Sequence, residues 1–183
     1  HPNQVMTSGL FPVVYASGTY SDPNTAGSQY IMLALGDRVT FQAFGVSART
    51  VSYTSGGTVT EQSTIVQCNN QVFIFRGFDE TPLVWDGVWG NEFELATGNI
   101  PPSNQALYCQ NRLWVIVDKD SIAASDILDF TTFTTIDNQF NLNTGDSNYL
   151  VTMYPFGDTS IIIFKNRSIL ILTGVDGTLT DVA

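Results

Sequence analysis

Two ten-residue segments of this chain, 41 positions apart, share one pattern of apolar and polar residues, with Cys68 and Asn70 of the first matched by Cys109 and Asn111 of the second. The first, at residues 66–75, reads VQCNNQVFIF, and the second, at residues 107–116, reads LYCQNRLWVI. Each consists of an apolar stretch, a short polar turn built on Asn, and a second apolar stretch, which is the pattern of a β-hairpin. A recurrence of about 40 to 45 residues is typical of the four-stranded blades of β-propellers. The repeat therefore predicts an all-β fold built from antiparallel blades.

Weaker copies of this pattern lie on both sides of the two segments. Apolar runs follow one another around Gly36 and Asp37 upstream, and around Gly157 and Asn166 downstream. Gly, Asp and Asn tolerate the left-handed backbone angles of tight hairpins, and no segment shows sustained helical spacing. We therefore predict one all-β region over residues 1–183, an antiparallel β-propeller-like repeat with approximate blades at residues 28–60, 64–100, 104–145 and 147–183.

The number of blades indicates whether the predicted propeller is closed. The sequence contains three to four blade patterns, whereas closed propellers usually have about four to eight blades. We therefore expect a partial propeller within a larger chain.

Continuous apolar runs predict which strands are central. A strand that is wet on one face alternates apolar and polar residues, whereas a strand covered on both faces is apolar throughout. Three runs have this character, and we expect adjoining blades to cover both of their faces. The predicted core residues are Val72, Phe73, Ile74, Phe75, Leu113, Trp114, Val115, Ile116, Ile161, Ile162 and Ile163.

The third strands of the blades end alike. Asp86, Asp126 and Gly174 each close an apolar run. An Asp at such a position caps the following turn through its side chain, and a Gly adopts unusual backbone angles there, so we predict a structural role for all three. The dipeptide Trp85-Asp86 is typical of one propeller family, but it stands without the rest of that family's signature.

Charge limits the classes of partner. Seven Lys and Arg stand against 17 Asp and Glu, a formal net charge of −10. Such a surface repels nucleic acid, which proteins grip by neutralising phosphates. No stretch approaches the roughly 18 consecutive apolar residues of a membrane-spanning helix, so we predict no membrane segment.

The sequence offers little for catalysis. His1 is the only histidine, so neither a Ser-His-acid triad nor a histidine metal site is expected. Glu92 and Glu94 fall on one face of an alternating segment, which indicates a solvated surface. The turn around Asp118 and Asp120, with Asp126 downstream, offers oxygen ligands but lacks the pattern of a calcium-binding loop. We predict no enzyme and no catalytic, cofactor-binding or metal-binding residue.

The two cysteines occupy equivalent positions. Cys68 and Cys109 both precede the Asn turn of their segment. A disulfide between them requires Cα atoms within about 7 Å, which spacing alone does not establish. Because Cys is often buried as a small hydrophobe, we favour free buried thiols.

Several loose motifs follow one another in a recognisable order over roughly residues 65 to 175. They are PLVWDG at 82–87, IPP at 100–102, NRLWV at 111–115, Ser125-Asp126 followed by Phe130 and Phe133, Gly145-Asp146, and IFKNRSI at 163–169. In this order they resemble the propeller region of bacteriophage tail nozzle proteins, also called head-to-tail stabilisation or tail tubular proteins.

The resemblance implies a structural virion protein with no catalytic residues. Members of that family form a ring, commonly a hexamer, below the adaptor ring and the portal, and they support tail fibres. It implies location in the virion tail after assembly in the host cytoplasm. It also implies transient passage of DNA through the ring without specific binding, which the acidic balance fits because phosphate contacts are what immobilise DNA.

Two other classes of function stay open at this point. One is a carbohydrate- or protein-binding propeller that uses Trp89, Tyr108 or Tyr154 as stacking platforms, although these aromatic residues equally suit the packing between blades. The other, less favoured, is a propeller hydrolase that uses Asp86 or Glu92.

Overall fold

A computed structural model describes residues 12–25, 27–134, 138–142, 147–176 and 179. In this part of the chain the secondary structure consists of 15 β-strands and contains no α-helix. Nothing in it is helical over a length that would span a membrane. His1 and the Gly145-Asp146 motif lie outside the described residues. The strands form four antiparallel sheets.

Each sheet is a meander whose strands follow chain order. Blade 1 contains β1 (Ala16–Ser21), β2 (Gln29–Ala34), β3 (Arg38–Gln42) and β4 (Arg49–Ser52). Blade 2 contains β5 (Thr64–Cys68), β6 (Gln71–Phe75), β7 (Leu83–Trp85) and β8 (Glu94–Leu95). Blade 3 contains β9 (Ala106–Cys109), β10 (Arg112–Ile116), β11 (Ser121–Ala124) and β12 (Gln139–Asn141). Blade 4 contains β13 (Leu150–Phe156), β14 (Ser160–Lys165) and β15 (Ile169–Thr173).

The four sheets are arranged as a four-bladed β-propeller, which confirms the predicted fold class. The first strand of each blade is the inner one: β1 packs beside β5, β5 beside β9, and β9 beside β13. Blade 1 begins at Ala16, earlier than the expected boundary at residue 28, because β1 pairs with β2 along its whole length. The sequence of β1 is mostly small and polar, so it gave no apolar run to mark a strand.

The equivalent hairpins of blades 2 and 3 turn through left-handed residues. Asn69 has a φ of 54°, and Gln110 and Asn111 have φ values of 52° and 56°. These positions are the polar turns of the sequence repeat, so their role as tight turns is confirmed.

Asp86 and Asp126 cap the loops that follow the third strands. Asp86 accepts hydrogen bonds from the Val88 amide and the Asn91 side chain. Asp126 accepts hydrogen bonds from the side chains of Thr134 and Asn138. The predicted structural role of these two carboxylates is confirmed. Gly174, at the end of β15, adopts a φ of 76°, as expected for a glycine in that position.

The hydrophobic core consists of three clusters, one at each junction between consecutive blades. We call the face of a blade that is turned toward the next blade its front, and the opposite face its back. Phe73 and Phe75 lie on the front of blade 2, and Leu113 and Val115 on the back of blade 3 share their cluster. All predicted core residues are buried except Ile162, which is only half-buried. That prediction was wrong because no hydrophobic cluster of the described residues covers the front of blade 4.

The repeat includes one backbone position with left-handed angles, which is a glycine in blade 2 and a leucine in blade 3. Gly87 and Leu128 both adopt left-handed angles, with φ values of 80° and 61°, and both approach the Asn of the turn, Asn70 and Asn111 respectively. A Cβ on Gly87 would lie 2.2 Å from the Asn70 carbonyl oxygen. Leu128, in contrast, is largely exposed and holds the same conformation at the cost of strain.

We therefore expect opposite results from two substitutions. Leu128→Gly should raise the free energy of unfolding by about 1 kcal/mol, because it relieves left-handed strain and loses little buried surface. Gly87→Ala should lower it by more than about 1 kcal/mol, because it adds both the strain and the clash. Urea denaturation of the two variants measures both changes. A Leu128→Gly variant less stable than the parent chain would contradict this account.

Candidate functional site

The acidic residues that the sequence offered as candidates are either exposed or engaged in structural hydrogen bonds. No group of three or more His, Cys, Asp or Glu side chains that could hold a metal ion occurs in the described part of the chain. Asp86, Glu92 and Glu94 border a shallow depression of about 130 Å³, but both glutamates are exposed. The Asp86 carboxylate caps its own loop through hydrogen bonds from the Val88 amide and the Asn91 side chain.

The turn around Asp118 and Asp120 has a structural arrangement. Asp118 accepts a hydrogen bond from the Asp120 amide, as an ordinary Asp turn does. The Asp120 carboxylate is buried and lies 3.1 Å from the ammonium group of Lys165 on blade 4. A carboxylate committed to a buried ammonium is not available to a cation, so the geometry favours an inter-blade ion pair at this turn.

Of the three candidate stacking aromatics, two are packed within the propeller. Trp89 lies 5.1 Å from Trp85 between ring centroids, and the Arg49 guanidinium covers its ring at 4.6 Å. The Tyr108 ring packs edge-on against Phe130. Tyr154, in contrast, is 67% exposed on the front of blade 4. The arrangement therefore leaves Tyr154 alone of the three with an open ring face.

Asp22 anchors the packed Trp89. Burial by itself would raise the pKa of the Asp22 carboxyl, but hydrogen bonds from the Asn24 amide and the Trp89 indole hold that pKa below its usual value. The carboxylate thus stays ionised and orients the indole ring.

Both cysteines are free and buried, as the sequence indicated. Burial raises the pKa of the Cys68 thiol and, less strongly, that of Cys109. Since the thiolate is the nucleophile, these thiols are poor candidates for redox or covalent chemistry.

Residues from the inner strand of each of the four blades line a cavity of about 590 Å³. Ser17, Thr64 and Thr152 contribute hydroxyl groups to its wall, and Gln67 and Gln105 contribute amides. No charged side chain among the described residues lines this cavity.

The front of blade 4 is the largest feature of this structure that sequence reasoning missed. Tyr154, Ile162 and Ile171 are direct cross-strand neighbours on it, and Phe164 and Ile169 form the next row. Tyr154, Ile169 and Ile171 are each more than half exposed. Contiguous apolar surface of this kind marks an interaction site. We call these five residues the apolar front of blade 4.

The opposite end of the row of blades has a different surface. Ile31 and Leu33 lie on the back of blade 1, with Thr19 and Thr40 beside them as cross-strand neighbours. Ile31 is 56% exposed, and the surrounding positions on this face are mostly Ser, Gln and Thr. We call these four residues the mixed back of blade 1. No hydrophobic cluster of the described residues joins it to blade 4.

Comparison with known proteins supports the fold. No protein-family model and no curated protein matches the chain. Among solved structures, the chain is similar to the crystal structure of the computationally designed Ika4 protein, with a TM-score of 0.58 and 11% sequence identity. The similarity covers 91% of this chain and 94% of that chain. At this level of identity it supports the architecture and carries no function.

Proposed function

We propose that the chain is a structural component of a phage tail, part of a nozzle or head-to-tail connector ring through which DNA leaves the particle. In this proposal it acts by assembly and has no catalytic centre. Its partners are further copies of itself, in a ring that the family resemblance sets at six, together with adaptor, portal-proximal or tail-fibre proteins. It is assembled in the host cytoplasm and resides in the virion tail.

One observation carries the assembly role: the described residues leave the apolar front of blade 4 uncovered, although they bury the fronts of the preceding blades. Large exposed apolar patches mark sites of protein association. The engaged carboxylates and the raised pKa values of both thiols favour this role over hydrolysis. The order of motifs between residues 65 and 175 supports the phage tail as the particular assembly.

The formal charge of −10 suits a protein of the DNA exit path, because it disfavours phosphate contacts that would hold the DNA. In this proposal the exit channel is formed by the ring of subunits and not by the cavity between the inner strands of one chain, which the described residues line with uncharged side chains.

The test is to purify particles of the phage whose genome encodes the chain. We expect mass spectrometry to detect the protein in intact particles, and antibody-gold labelling to place it on the tail. The controls are particles treated with the gold conjugate but without the antibody, and capsids that lack tails. Absence of the protein from particles that carry complete tails would overturn the proposal, as would robust turnover of a defined substrate by the purified chain.

A further inference from the structure

We infer that the apolar front of blade 4 packs on the mixed back of blade 1 of a second copy of this chain. The inference rests on the proposed assembly role and names the partner and the contact. The two surfaces stand at opposite ends of the row of blades, so the contact joins copies head to tail.

The apolar front repeats a surface that is buried elsewhere in the chain. The third residue of the second strand is Phe73 in blade 2, Trp114 in blade 3 and Ile162 in blade 4. Phe73 and Trp114 are fully buried under the following blade, but no hydrophobic cluster of the described residues covers the face on which Ile162 lies. The cross-strand neighbours agree, because Val66 and Leu107 pack into clusters while Tyr154 stays exposed.

The same holds for the fifth residue of that strand. Phe75 and Ile116 are buried, whereas Phe164 at the equivalent position is half-buried. The front of blade 4 is therefore chemically suited to the back of another blade. Each of the three junctions within the chain packs the front of one blade on the back of the next, and we expect the same packing here.

The mixed back of blade 1 is the surface that continues this packing. Ile31 and Leu33 give it an apolar centre, and Ser17, Ser21 and Gln42 on the same face give it a polar margin. An apolar centre with a polar rim is the anatomy of contacts between separate chains. In the head-to-tail contact, β13 of one copy lies beside β1 of the next, as β9 lies beside β13 within one chain.

Charge also selects these two surfaces. Copies with a formal charge of −10 repel each other over most of their surface. The apolar front of blade 4 contains no charged residue, and the nearest charge on the back of blade 1 is Arg38, which is paired with Asp37. The two surfaces can therefore approach without bringing carboxylates together. Head-to-tail contacts of this kind generate closed rings when the rotation between copies closes.

The experiment uses the whole chain with single substitutions at exposed positions. Ile171→Lys alters the front of blade 4, and Ile31→Lys alters the back of blade 1. Ile127→Lys is the matched control, because Ile127 in the loop after β11 is 51% exposed, as Ile171 is, and lies on neither surface. Sedimentation velocity gives the mass of each protein, and far-ultraviolet circular dichroism checks that each is folded.

We expect the parent chain and the Ile127→Lys variant to sediment as oligomers, and the Ile171→Lys and Ile31→Lys variants to sediment as monomers. Mixing the two monomeric variants should restore a species of two chains, because one intact front then meets one intact back. A front-to-front contact would instead leave the Ile31→Lys variant oligomeric and give no recovery on mixing.

A monomeric parent chain, or an Ile31→Lys variant that remains oligomeric, would overturn the inference. Oligomers with the expected behaviour that are absent from virus particles would leave this contact standing and remove the proposed function. If the purified chain were monomeric but were found in phage tails, the proposed function would stand and this contact would be removed.

Discussion

Replacing Trp114 with Ala should lower the free energy of unfolding by about 3 to 5 kcal/mol. The indole is fully buried at the junction of blades 3 and 4, where it stacks with Phe140 and donates a hydrogen bond of 3.2 Å to the Cys109 carbonyl. Its removal leaves a large cavity and takes away the indole hydrogen bond to that carbonyl. The measurement is the midpoint and slope of urea denaturation.

Two further variants separate packing from the hydrogen bond. Trp114→Phe keeps most of the ring volume and should cost clearly less than the Ala change. Ile127→Ala, on an exposed loop, should alter stability by no more than about 0.5 kcal/mol. If Trp114→Ala left the unfolding midpoint unchanged, the junction between blades 3 and 4 would not be packed as described.

The fold was largely predictable from the sequence because its signals are local. The copied segments predicted the hairpins of blades 2 and 3, and the left-handed angles at Asn69 and Asn111 follow from the residue types in those turns. The runs from Val72 to Phe75 and from Leu113 to Ile116 were correctly assigned to central strands, since each is enclosed by neighbouring blades.

The candidate site was not predictable in the same way. The run from Ile161 to Ile163 has the same apolar character as the buried runs, and only the presence or absence of a following blade decides whether Ile162 is covered. One signal was available: Tyr154 and Phe156 in β13, and Ile169 and Ile171 in β15, recur with period two. Both sets fall on one face of the sheet once the register is known.

In blade 1 the first strand is packed against the core although its sequence contains no apolar run. This strand has Tyr20 as its only large side chain, yet that residue is fully buried at the junction with blade 2. Gly18 in the same strand lies so close to Ile65 that a Cβ would meet its side chain at 2.9 Å. Small residues here serve the close approach of two inner strands, and apolar periodicity does not report that role.

Loss of the Lys165 ammonium group should be as costly as loss of Trp114. The Lys165 side chain is fully buried, and its Nζ lies 3.1 Å from Asp120 Oδ1 and donates a hydrogen bond to the Leu142 carbonyl. Lys165→Met removes the positive charge and leaves the Asp120 carboxylate buried, which costs about 3 to 5 kcal/mol. Lys119→Met is the control: Lys119 lies 3.5 Å from the same carboxylate but is exposed, so we expect a change within about 0.5 kcal/mol.

A second substitution should recover much of the loss. Leucine has a side chain of similar shape to aspartate. In the Lys165→Met background, Asp120→Leu removes the buried carboxylate that has lost its ammonium partner. The double variant should therefore be more stable than Lys165→Met alone. Recovery should be incomplete, because the Leu142 carbonyl still lacks its donor. Urea denaturation of the four proteins of this cycle gives the coupling energy. Strictly additive losses would mean that the two side chains do not interact. A coupling of about 1 kcal/mol or more would mean that this pair stabilises the junction between blades 3 and 4.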